Sequence, residues 1–465
     1  MRRTRHALTA ELIQALTRRG PTKGPVLSDE LGISQPTLSR LLRENRGRIL
    51  VVGRARATRY ALRRAIPGVA SPIPVSEIRE PGESPRLLFE LHPVEPDGFY
   101  AMARAPGETS RFYDDLPFFL QDLRPAGFLG RLVPRQHPEL GFPDDILLWS
   151  ANHTLRYLTE HGWNLVGAII VGDVAYREYL ANVASPPDVI HPSDRADQYA
   201  RLAADVLRFG LVGSSAAGEQ PKFAATIARG DSLTPVLVKF SPPMRDLASI
   251  RVADLLVAEH IAHQTLRRYG RRSVTSEIIQ AADRVFLELE RFDRVGYTHR
   301  RGLITLGWLD GEYLGGGRTS WTDSTRPLWD AGVIDQSAHD ATRWLGLFGT
   351  LIANTDMHHG NLSFYLEGTR VTGLAPAYDM VPMQYRPRQG ELVDPKFRPL
   401  LPGPSLADIS REVWAAATAF WSDVGANSLI SPDFRAIGAE NASKLEALRD
   451  SLDLLPAVAA GLARG

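Results

Sequence analysis

The chain has 465 residues, a formal net charge of +1 and no cysteine. With 44% hydrophobic and 23% charged residues it has the composition of a folded protein of about three domains at roughly 150 residues each. The lack of cysteine excludes disulfide bonds, cysteine-ligated zinc and thiol catalysis. No apolar run approaches the ~18 residues that span a bilayer, and the basic N-terminus lacks the apolar segment of a secretory signal. We therefore expect a cytoplasmic protein that has no membrane partner.

The net charge is an average over two unlike parts. Residues 1–64 contain 15 Lys and Arg residues against four acidic ones, a net charge of +11, so the remainder carries −10. A basic head on an acidic body is typical of a nucleic-acid-binding module fused to another domain. An arginine-rich flank without a ligand is the alternative that composition leaves open.

The head has the spacing of a helix-turn-helix. Apolar residues between positions 8 and 16 predict a first helix that ends at Gly20. Ser28 is expected to cap a short helix, Gly32 to allow a tight turn, and Ser34 to cap a second helix. In that second helix the leucines at 38, 41 and 42 would face the core. The side chains predicted to face DNA are Gln35, Thr37, Ser39, Arg40 and Arg43.

A predicted hairpin follows this second helix. Residues 48–53 and 60–62 have the pattern of paired strands, and the turn between them contains Arg54, Arg56 and Arg59. A hairpin with an arginine tip in this position resembles the winged helix-turn-helix family. The helix would then contact the major groove and the wing arginines would contact phosphates. A protein-docking role for the same module remains open, although the charge of +11 favours DNA.

Proline-rich residues 65–87 predict a semi-rigid linker. Further along, residues 213–222 form a loop rich in Gly, Ser and Ala that ends at Lys222, small enough for its backbone N–H groups to approach phosphate oxygens. It is not a Walker A motif, and a plain turn is the alternative. Lys239 closes a predicted strand at 235–240, where protein kinases place the lysine that holds the α- and β-phosphates. An exposed lysine at a strand end is the alternative there.

The most specific pattern is a polar loop at residues 353–361. A predicted helix at 344–352 leads to Asp356, and Asn361 follows with the D-x-x-x-x-N spacing of a kinase catalytic loop. Asp379 then stands where kinases supply the main Mg²⁺ carboxylate. Two other interpretations remain open: a transition-metal hydrolase site that also uses His358 and His359, and a purely structural turn.

Five motifs in order resemble the HipA family of serine/threonine kinase toxins: residues 215–222, Lys239, residues 290–294, residues 356–361 and residues 378–379. The resemblance covers roughly residues 88–465, and the head on the same chain is similar to the YjjJ-type subgroup. It implies an α+β, bilobal protein-kinase-like fold preceded by a small winged helix-turn-helix domain. The implied divisions are a DNA-binding domain at 1–64, a linker at 65–87, an N-terminal lobe at 88–292 and a helical C-terminal lobe at 293–465.

The resemblance also implies roles for individual residues. Asp356 would be the catalytic base, Asn361 and Asp379 would hold Mg²⁺, and Ser215 would be the site of autophosphorylation. Gly360 and Pro221 depart from the family, which has a lysine and a glutamate at these positions, so rate and regulation are expected to differ more than nucleotide binding. The residues implied to bind ATP are Ala217, Gly218, Glu219, Gln220, Pro221, Lys222, Lys239, Glu290, Arg291, Phe292, His358, His359, Gly360, Asn361, Tyr378 and Asp379, with residues 290–292 as the adenine hinge.

The main functional hypothesis is an ATP- and Mg²⁺-dependent serine/threonine kinase toxin of a toxin–antitoxin system, fused to a DNA-binding domain. Family members act on aminoacyl-tRNA synthetases, so a protein of translation is the implied substrate, and a separate antitoxin is a further implied partner. Winged helices often bind paired half-sites as dimers, so a homodimer is expected on that ground. Two alternatives come from other classes. One is a transcriptional regulator with a nucleotide-sensing pseudokinase body, and the other is a metal-dependent nuclease built on His358 and His359.

Overall fold

The computed structural model describes residues 4–78, 84–186, 188–210, 220–317, 320–392 and 395–454. The chain divides into two compact units, which we call the N-terminal unit and the C-terminal unit. The N-terminal unit comprises Met1–Arg124 and Leu140–Ala184, and the C-terminal unit comprises Pro125–Glu139 and Ser185–Gly465. Each unit is a mixture of helices and β-sheets.

The helices of the described chain are α1 Arg5–Arg19, α2 Gly24–Leu31, α3 Gln35–Glu44, α4 Phe118–Gln121, α5 Gly127–Gly130, α6 Val133–Gln136, α7 Ala151–His161, α8 Asp173–Ala184, α9 Arg195–Gly210, α10 Leu247–Arg268, α11 Leu306–Leu314, α12 Trp321–Asp330, α13 Gln336–Leu351, α14 Ala407–Ala426 and α15 Pro432–Ala447. The strands are β1 Thr22–Lys23, β2 Ile49–Val52, β3 Arg59–Leu62, β4 Ile73–Glu77, β5 Arg86–Pro93, β6 Phe99–Ala103, β7 Arg111–Tyr113, β8 Ile169–Val171, β9 Val189–Ile190, β10 Lys222–Arg229, β11 Ser232–Phe240, β12 Ser276–Ala281, β13 Arg284–Glu290, β14 Arg294–Val295, β15 His299–Arg300, β16 Gly302–Thr305, β17 Ser363–Glu367 and β18 Arg370–Leu374.

Residues 4–62 have the element order expected of a winged helix-turn-helix. Helices α1, α2 and α3 pack around one core, to which Leu38, Leu41 and Leu42 of α3 contribute. The strands form an antiparallel sheet in the order β1-β3-β2, with β2 and β3 as the hairpin that follows α3. Helix α1 ends at Gly20, as its spacing predicts.

The turn between α2 and α3 follows from its glycine. Gly32 ends α2 with φ of +59°, in the left-handed region that favours glycine, and Ser34 is the N-cap residue of α3. The prediction that Ser28 caps the short helix is wrong. Helix α2 begins five residues earlier than this cap would place it, at Gly24, because Pro25 in its first turn already has a helical φ, and Ser28 is buried inside the helix.

The rest of the N-terminal unit contains a five-stranded antiparallel sheet in the order β7-β6-β5-β4-β8, together with α4, α7 and α8. Its strand β4 lies within residues 65–87, so this part of the predicted linker is a strand and not a spacer. The side chains of Ile73, Val75 and Glu77 are buried, and β4 pairs on both sides, with β5 and with β8. The pairing with β8 joins residues almost a hundred positions apart, which no local pattern in a proline-rich segment could indicate.

The winged helix is continuous with this sheet. The backbone N–H of Glu95 donates to the carbonyl of Leu62 at 2.9 Å, and the N–H of Arg64 donates to the carbonyl of Pro93 at 3.0 Å. Leu50 and Ala61 of the wing strands share a small core with Val94 and Tyr100. The head therefore belongs to one compact unit with residues 65–124, instead of being tethered by a linker.

The C-terminal unit contains a second five-stranded sheet, in the order β12-β13-β11-β10-β9, with α9 and α10 packed against it. Lys222 begins β10 and is paired in register with Lys239 near the end of β11. Helices α13, α14 and α15 bury a cluster of aromatic side chains, which includes Trp344, Phe420 and Trp421. Strands β17 and β18 follow the loop at residues 353–361 and form a three-stranded sheet with β16, which precedes it.

None of the helices in the described part of the chain has the length and apolarity needed to cross a membrane.

Candidate active site and DNA-binding surface

The centre of the candidate active site is the amino group of Lys239. The predicted strand is present as β11, and the side chain that it positions is 5% exposed. Its Nζ atom donates to Glu259 Oε1 at 2.6 Å and to Glu259 Oε2 at 2.8 Å, and it also contacts Asp379 Oδ1. Glu259 lies on α10 and is 1% exposed. One buried cation thus joins a strand, a helix and the loop that follows β18.

Opposite charges keep all three groups ionised. Burial by itself raises the pKa of Asp379, but the positive charges of Lys239 and Lys222 outweigh this effect and lower the pKa to about 2. The pKa of Glu259 is lowered in the same way, because the attraction of Lys239 exceeds the effect of burial. For Lys239, burial favours the neutral form, but the two carboxylates outweigh it and raise the pKa. The site therefore offers an ionised carboxylate, Asp379, beside a charged lysine at neutral pH.

The loop at residues 353–361 is held by its own asparagines. Asn354 donates from Nδ2 to the carbonyl of Asp379 at 3.2 Å and accepts from the N–H of Asp356 at 3.0 Å. Asn361 donates from Nδ2 to the carbonyl of Asp356 at 2.8 Å. These bonds fix the backbone on both sides of Asp356, while its side chain is exposed. The loop follows α13, as the helical pattern predicted.

The two histidines of the loop have separate partners. His358 accepts from the N–H of Gly360 at Nδ1, at 3.0 Å, and its carbonyl accepts from Trp321 Nε1 at 3.0 Å. His359 Nε2 is bonded to Ser324 Oγ at 2.8 Å. A Cβ atom at Gly360 would lie 2.9 Å from the His358 ring, so the glycine at this position is needed for that ring orientation.

A cavity of about 380 Å³ adjoins the lysine and the loop. The predicted ATP-binding residues that line it are Gln220, Lys222, Lys239, His358, Asn361 and Asp379, together with the predicted base Asp356. Sequence reasoning missed Glu259, Phe128 and Arg386, which line the same cavity. Glu259 had a usable signal, because kinases pair their strand lysine with a glutamate on the next long helix. Phe128 and Arg386 had none, since they come from segments distant in sequence.

Other predicted ATP-binding residues lie outside this lining. The carboxylate of Glu290 is bonded to Arg229 at 2.7 Å, and the N–H of Arg291 donates to the carbonyl of Pro235 at 3.0 Å. The rings of Phe292 and Tyr378 stack with centroids 5.5 Å apart. The role of residues 290–292 as an adenine hinge therefore stays a prediction.

Tyr378 also donates from its hydroxyl to the carbonyl of Gly360 at 2.8 Å, which ties it to the loop. At the other end of the site, the carbonyl of Pro221 accepts from the N–H of Phe240 at 3.1 Å, beside Lys239. The predicted phosphate-loop residues Ala217, Gly218 and Glu219, and the predicted phosphorylation site Ser215, lie outside the described residues.

The N-terminal unit presents the predicted DNA-facing side chains on its surface. On α3, Gln35, Ser39, Arg40 and Arg43 are exposed, and Thr37 is half-buried with its hydroxyl 3.0 Å from that of Ser34. The exposed wing residues are Arg54, Arg56 and Arg59. Gly53 shapes the wing: its φ is +82°, and a Cβ atom there would lie 2.7 Å from the carbonyl oxygen of Ala57.

Comparisons with known proteins show the family of the chain. A model of the HipA-like C-terminal domain matches residues 214–419, and a model of the middle domain of YjjJ-like toxins matches residues 69–180. The chain belongs to the HipA family of toxins. It is 36% identical over 449 residues to the Toxin YjjJ of Escherichia coli (strain K12), a match that covers 94% of this chain and 98% of that relative.

The fold is similar to that of a solved HipA. The HipA of Shewanella oneidensis MR-1, determined in complex with HipB and its operator DNA, matches with a TM-score of 0.50 and 16% identity. The match covers 82% of this chain and 99% of that chain. The likeness confirms the predicted α+β, HipA-like fold class.

Proposed function

We propose that this toxin is an ATP- and Mg²⁺-dependent serine/threonine protein kinase fused to a DNA-binding domain. The observation that carries the proposal is the contact of Lys239 with both Glu259 and Asp379. Protein kinases need a strand lysine paired with a helix glutamate, and a metal-binding aspartate close to both. Glu259 supports the proposal independently, because no sequence motif had included it.

The residues present fit the nucleotide and the metal. Asp379 offers an ionised carboxylate, and the bond from Asn361 Nδ2 to Asp356 leaves Asn361 Oδ1 as a second oxygen ligand, the type that Mg²⁺ prefers. When bound, ATP supplies the phosphoryl group and Mg²⁺ offsets its charge. Lys239 would add a further positive charge, and the exposed carboxylate of Asp356 would orient and deprotonate the acceptor hydroxyl.

Transfer of labelled γ-phosphate tests this proposal. We expect the wild type to label an acceptor or itself, and Asp356→Ala and Asp379→Ala each to lower the rate by about a thousandfold or more. Asp330→Ala, which removes an exposed carboxylate of α12, is the matched control and should keep full activity. Activity that survives both substitutions would disprove the assignment.

The same assay separates the competing functions. ATP binding without transfer in the wild type would favour a regulator with a pseudokinase body. Nicking of DNA that needs a metal ion but no nucleotide would favour a nuclease built on His358 and His359. The bonds of these two imidazoles to Gly360 and Ser324 support the kinase proposal, because they give each ring a role in holding the loop.

DNA binding is proposed for the exposed arginines of α3 and the wing. The net charge of +11 on residues 1–64 favours binding to phosphates, and exposed Gln35 and Arg40 are of types that contact base edges. Point variants are the appropriate test, because deleting residues 1–64 would expose the core that Leu50 and Ala61 share with Val94.

The partners of the toxin are proposed from its relatives. The Shewanella oneidensis HipA is complexed with HipB and operator DNA, so we propose a separate antitoxin as a partner of this chain as well. The acceptor would be a protein of translation such as an aminoacyl-tRNA synthetase, and Ser215 would be the site of autophosphorylation. Co-purification with a HipB-like protein and mass spectrometry of the labelled toxin test these two points.

A further inference from the structure

The cavity of about 380 Å³ that adjoins Lys239, which we call the nucleotide cavity after its proposed ligand, has a second and larger cavity beside it in the C-terminal unit. Its volume is about 670 Å³, and we call it the acceptor groove. Its walls come from the start of α12, the C-terminal end of α13, the loop at 354–358 and residues between 400 and 406. The groove is open to solvent.

Asp356 and His358 line both the nucleotide cavity and the acceptor groove. The predicted base therefore lies between the two, with Lys239 and Asp379 on one side only. A group that takes a proton from an acceptor hydroxyl must reach both the hydroxyl and the phosphoryl group. The acceptor hydroxyl would enter from the groove side.

The charge of the groove excludes one class of acceptor and favours another. The described residues that line it include the acidic side chains of Asp323 and Asp356 but no lysine or arginine. A nucleic acid needs cations along its backbone, so this lining would repel it. Exposed Asp323 would instead attract a basic side chain.

The rim of the groove is apolar and exposed. Leu400 is 78% exposed and Leu401 is 41% exposed, and Pro402 and Leu406 continue the same wall. Two adjacent leucines that open onto a groove give an apolar side chain of a bound segment a surface to bury. The two leucines and Asp323 thus offer contacts of different chemistry around Asp356.

We propose that the acceptor is a protein segment with an apolar side chain and a basic side chain near its serine or threonine, bound in the acceptor groove. This inference rests on the proposed kinase function and adds its substrate specificity. The acceptor oxygen forms a bond to the γ-phosphorus of ATP, and the bond from that phosphorus to the β–γ bridging oxygen breaks. The hydroxyl proton passes to Asp356, and ADP leaves with the electron pair of the broken bond.

The test uses the full chain, labelled Mg-ATP and a peptide library with a fixed central serine and randomised flanks. We expect the wild type to favour Leu, Ile, Val or Met at one flanking position and Arg or Lys at another. Asp323→Lys should change the ratio of Arg-containing to Glu-containing products by about tenfold. Asp231→Lys, a charge reversal in the turn between β10 and β11, is the matched control and should not change it.

A second variant pair tests the apolar wall. Leu400→Ser with Leu401→Ser should raise KM for apolar-flanked peptides by about tenfold with kcat nearly unchanged, because ground-state and transition-state binding are lost equally. Leu429→Ser, which replaces a leucine of similar exposure to Leu401, should change neither constant. All variants should bind Mg-ATP as the wild type does.

The two possible failures are distinguishable. If phosphoryl transfer is intact and the preferences for flanking residues are the same as in the wild type in both Asp323→Lys and the double leucine variant, the proposed acceptor groove is overturned. The kinase proposal then still stands. Binding of Mg-ATP without labelling of any peptide, protein or toxin would overturn the kinase proposal and the groove with it. Labelling of RNA in preference to peptides would overturn the protein acceptor.

Discussion

The wing and the candidate active site place their positive charges in opposite environments. Arg54, Arg56 and Arg59 are exposed side chains on a hairpin, where water already solvates their charge. Lys239 is buried and is neutralised by Glu259 and Asp379 within the C-terminal unit. The first arrangement suits a long, repetitive polyanion, because each arginine acts almost independently and is sensitive to salt. The second suits a single small ligand held in a fixed position, because the three groups depend on one another.

The largest expected effect comes from removing Lys239 from its buried ion pairs with Glu259 and Asp379. Lys239→Met leaves Glu259 buried without its cation, which should lower the free energy of unfolding by about 3–5 kcal/mol and abolish phosphoryl transfer. Urea unfolding and labelled transfer measure the two effects. Lys396→Met, at an exposed lysine, should change neither. If Lys239→Met is as stable as the wild type, the contrast with the wing does not hold.

Substitutions of the exposed wing arginines should have smaller and additive effects on the affinity for DNA. Arg54→Ala, Arg56→Ala and Arg59→Ala together should reduce the slope of log K against log salt by about 2.7 if each arginine contacts one phosphate. Fluorescence anisotropy with duplex DNA at several salt concentrations gives the slope. Arg111→Ala, at an exposed arginine of β7, is the control. An unchanged slope would place DNA elsewhere on the chain or exclude it.

The shape of the wing should matter less than its charge. Gly53→Ala forces a side chain into a left-handed backbone and against Ala57, so we expect a loss of about 1–2 kcal/mol in the free energy of unfolding. A weakened affinity for DNA should accompany it. Gly47→Ala adds a Cβ atom into open space and should be nearly neutral. Equal behaviour of the two variants in unfolding experiments would contradict the role of Gly53.

The smallest effect is a dependence on pH. The folded-state pKa of Asp379, at about 2, lies below the ordinary value of 3.8, so the unfolded chain takes up this proton first as the pH falls. The stability contributed by its ion pair should be complete above about pH 4 and should decline between about pH 4 and pH 2. Unfolding in urea at pH 5, 4 and 3 should show a flatter profile for Asp379→Asn than for the wild type. Arg54→Ala removes an exposed side chain of the wing and leaves the ion pair of Asp379 intact, so its profile should match that of the wild type.

Local sequence patterns were sufficient to predict the elements in which residues close in sequence are also close in space. The helices and hairpin of the head follow from leucine spacing, Gly20 and Gly32, and the structure has them at nearly the predicted positions. The same holds for Lys239 on its strand and for the loop that contains Asp356 and Asn361. These two residues are only five positions apart, so their placement in one loop is a local property of the sequence. The order of these motifs was also enough to indicate the family.

Tertiary structure decided what depends on distant pairing. Residues 73–77 form strand β4 because β5 and β8 provide hydrogen-bond partners for the backbone on both sides, although the proline-rich sequence favours a linker. Glu259 becomes part of the site because α10 lies against the sheet that carries Lys239. Asp356 separates the nucleotide cavity from the acceptor groove because residues 400–406 lie beside the loop at 354–358. Sequence by itself thus determined which chemical groups the protein has and the short segments that hold them, whereas burial and opposite charge, which only the folded chain creates, decided which groups act together.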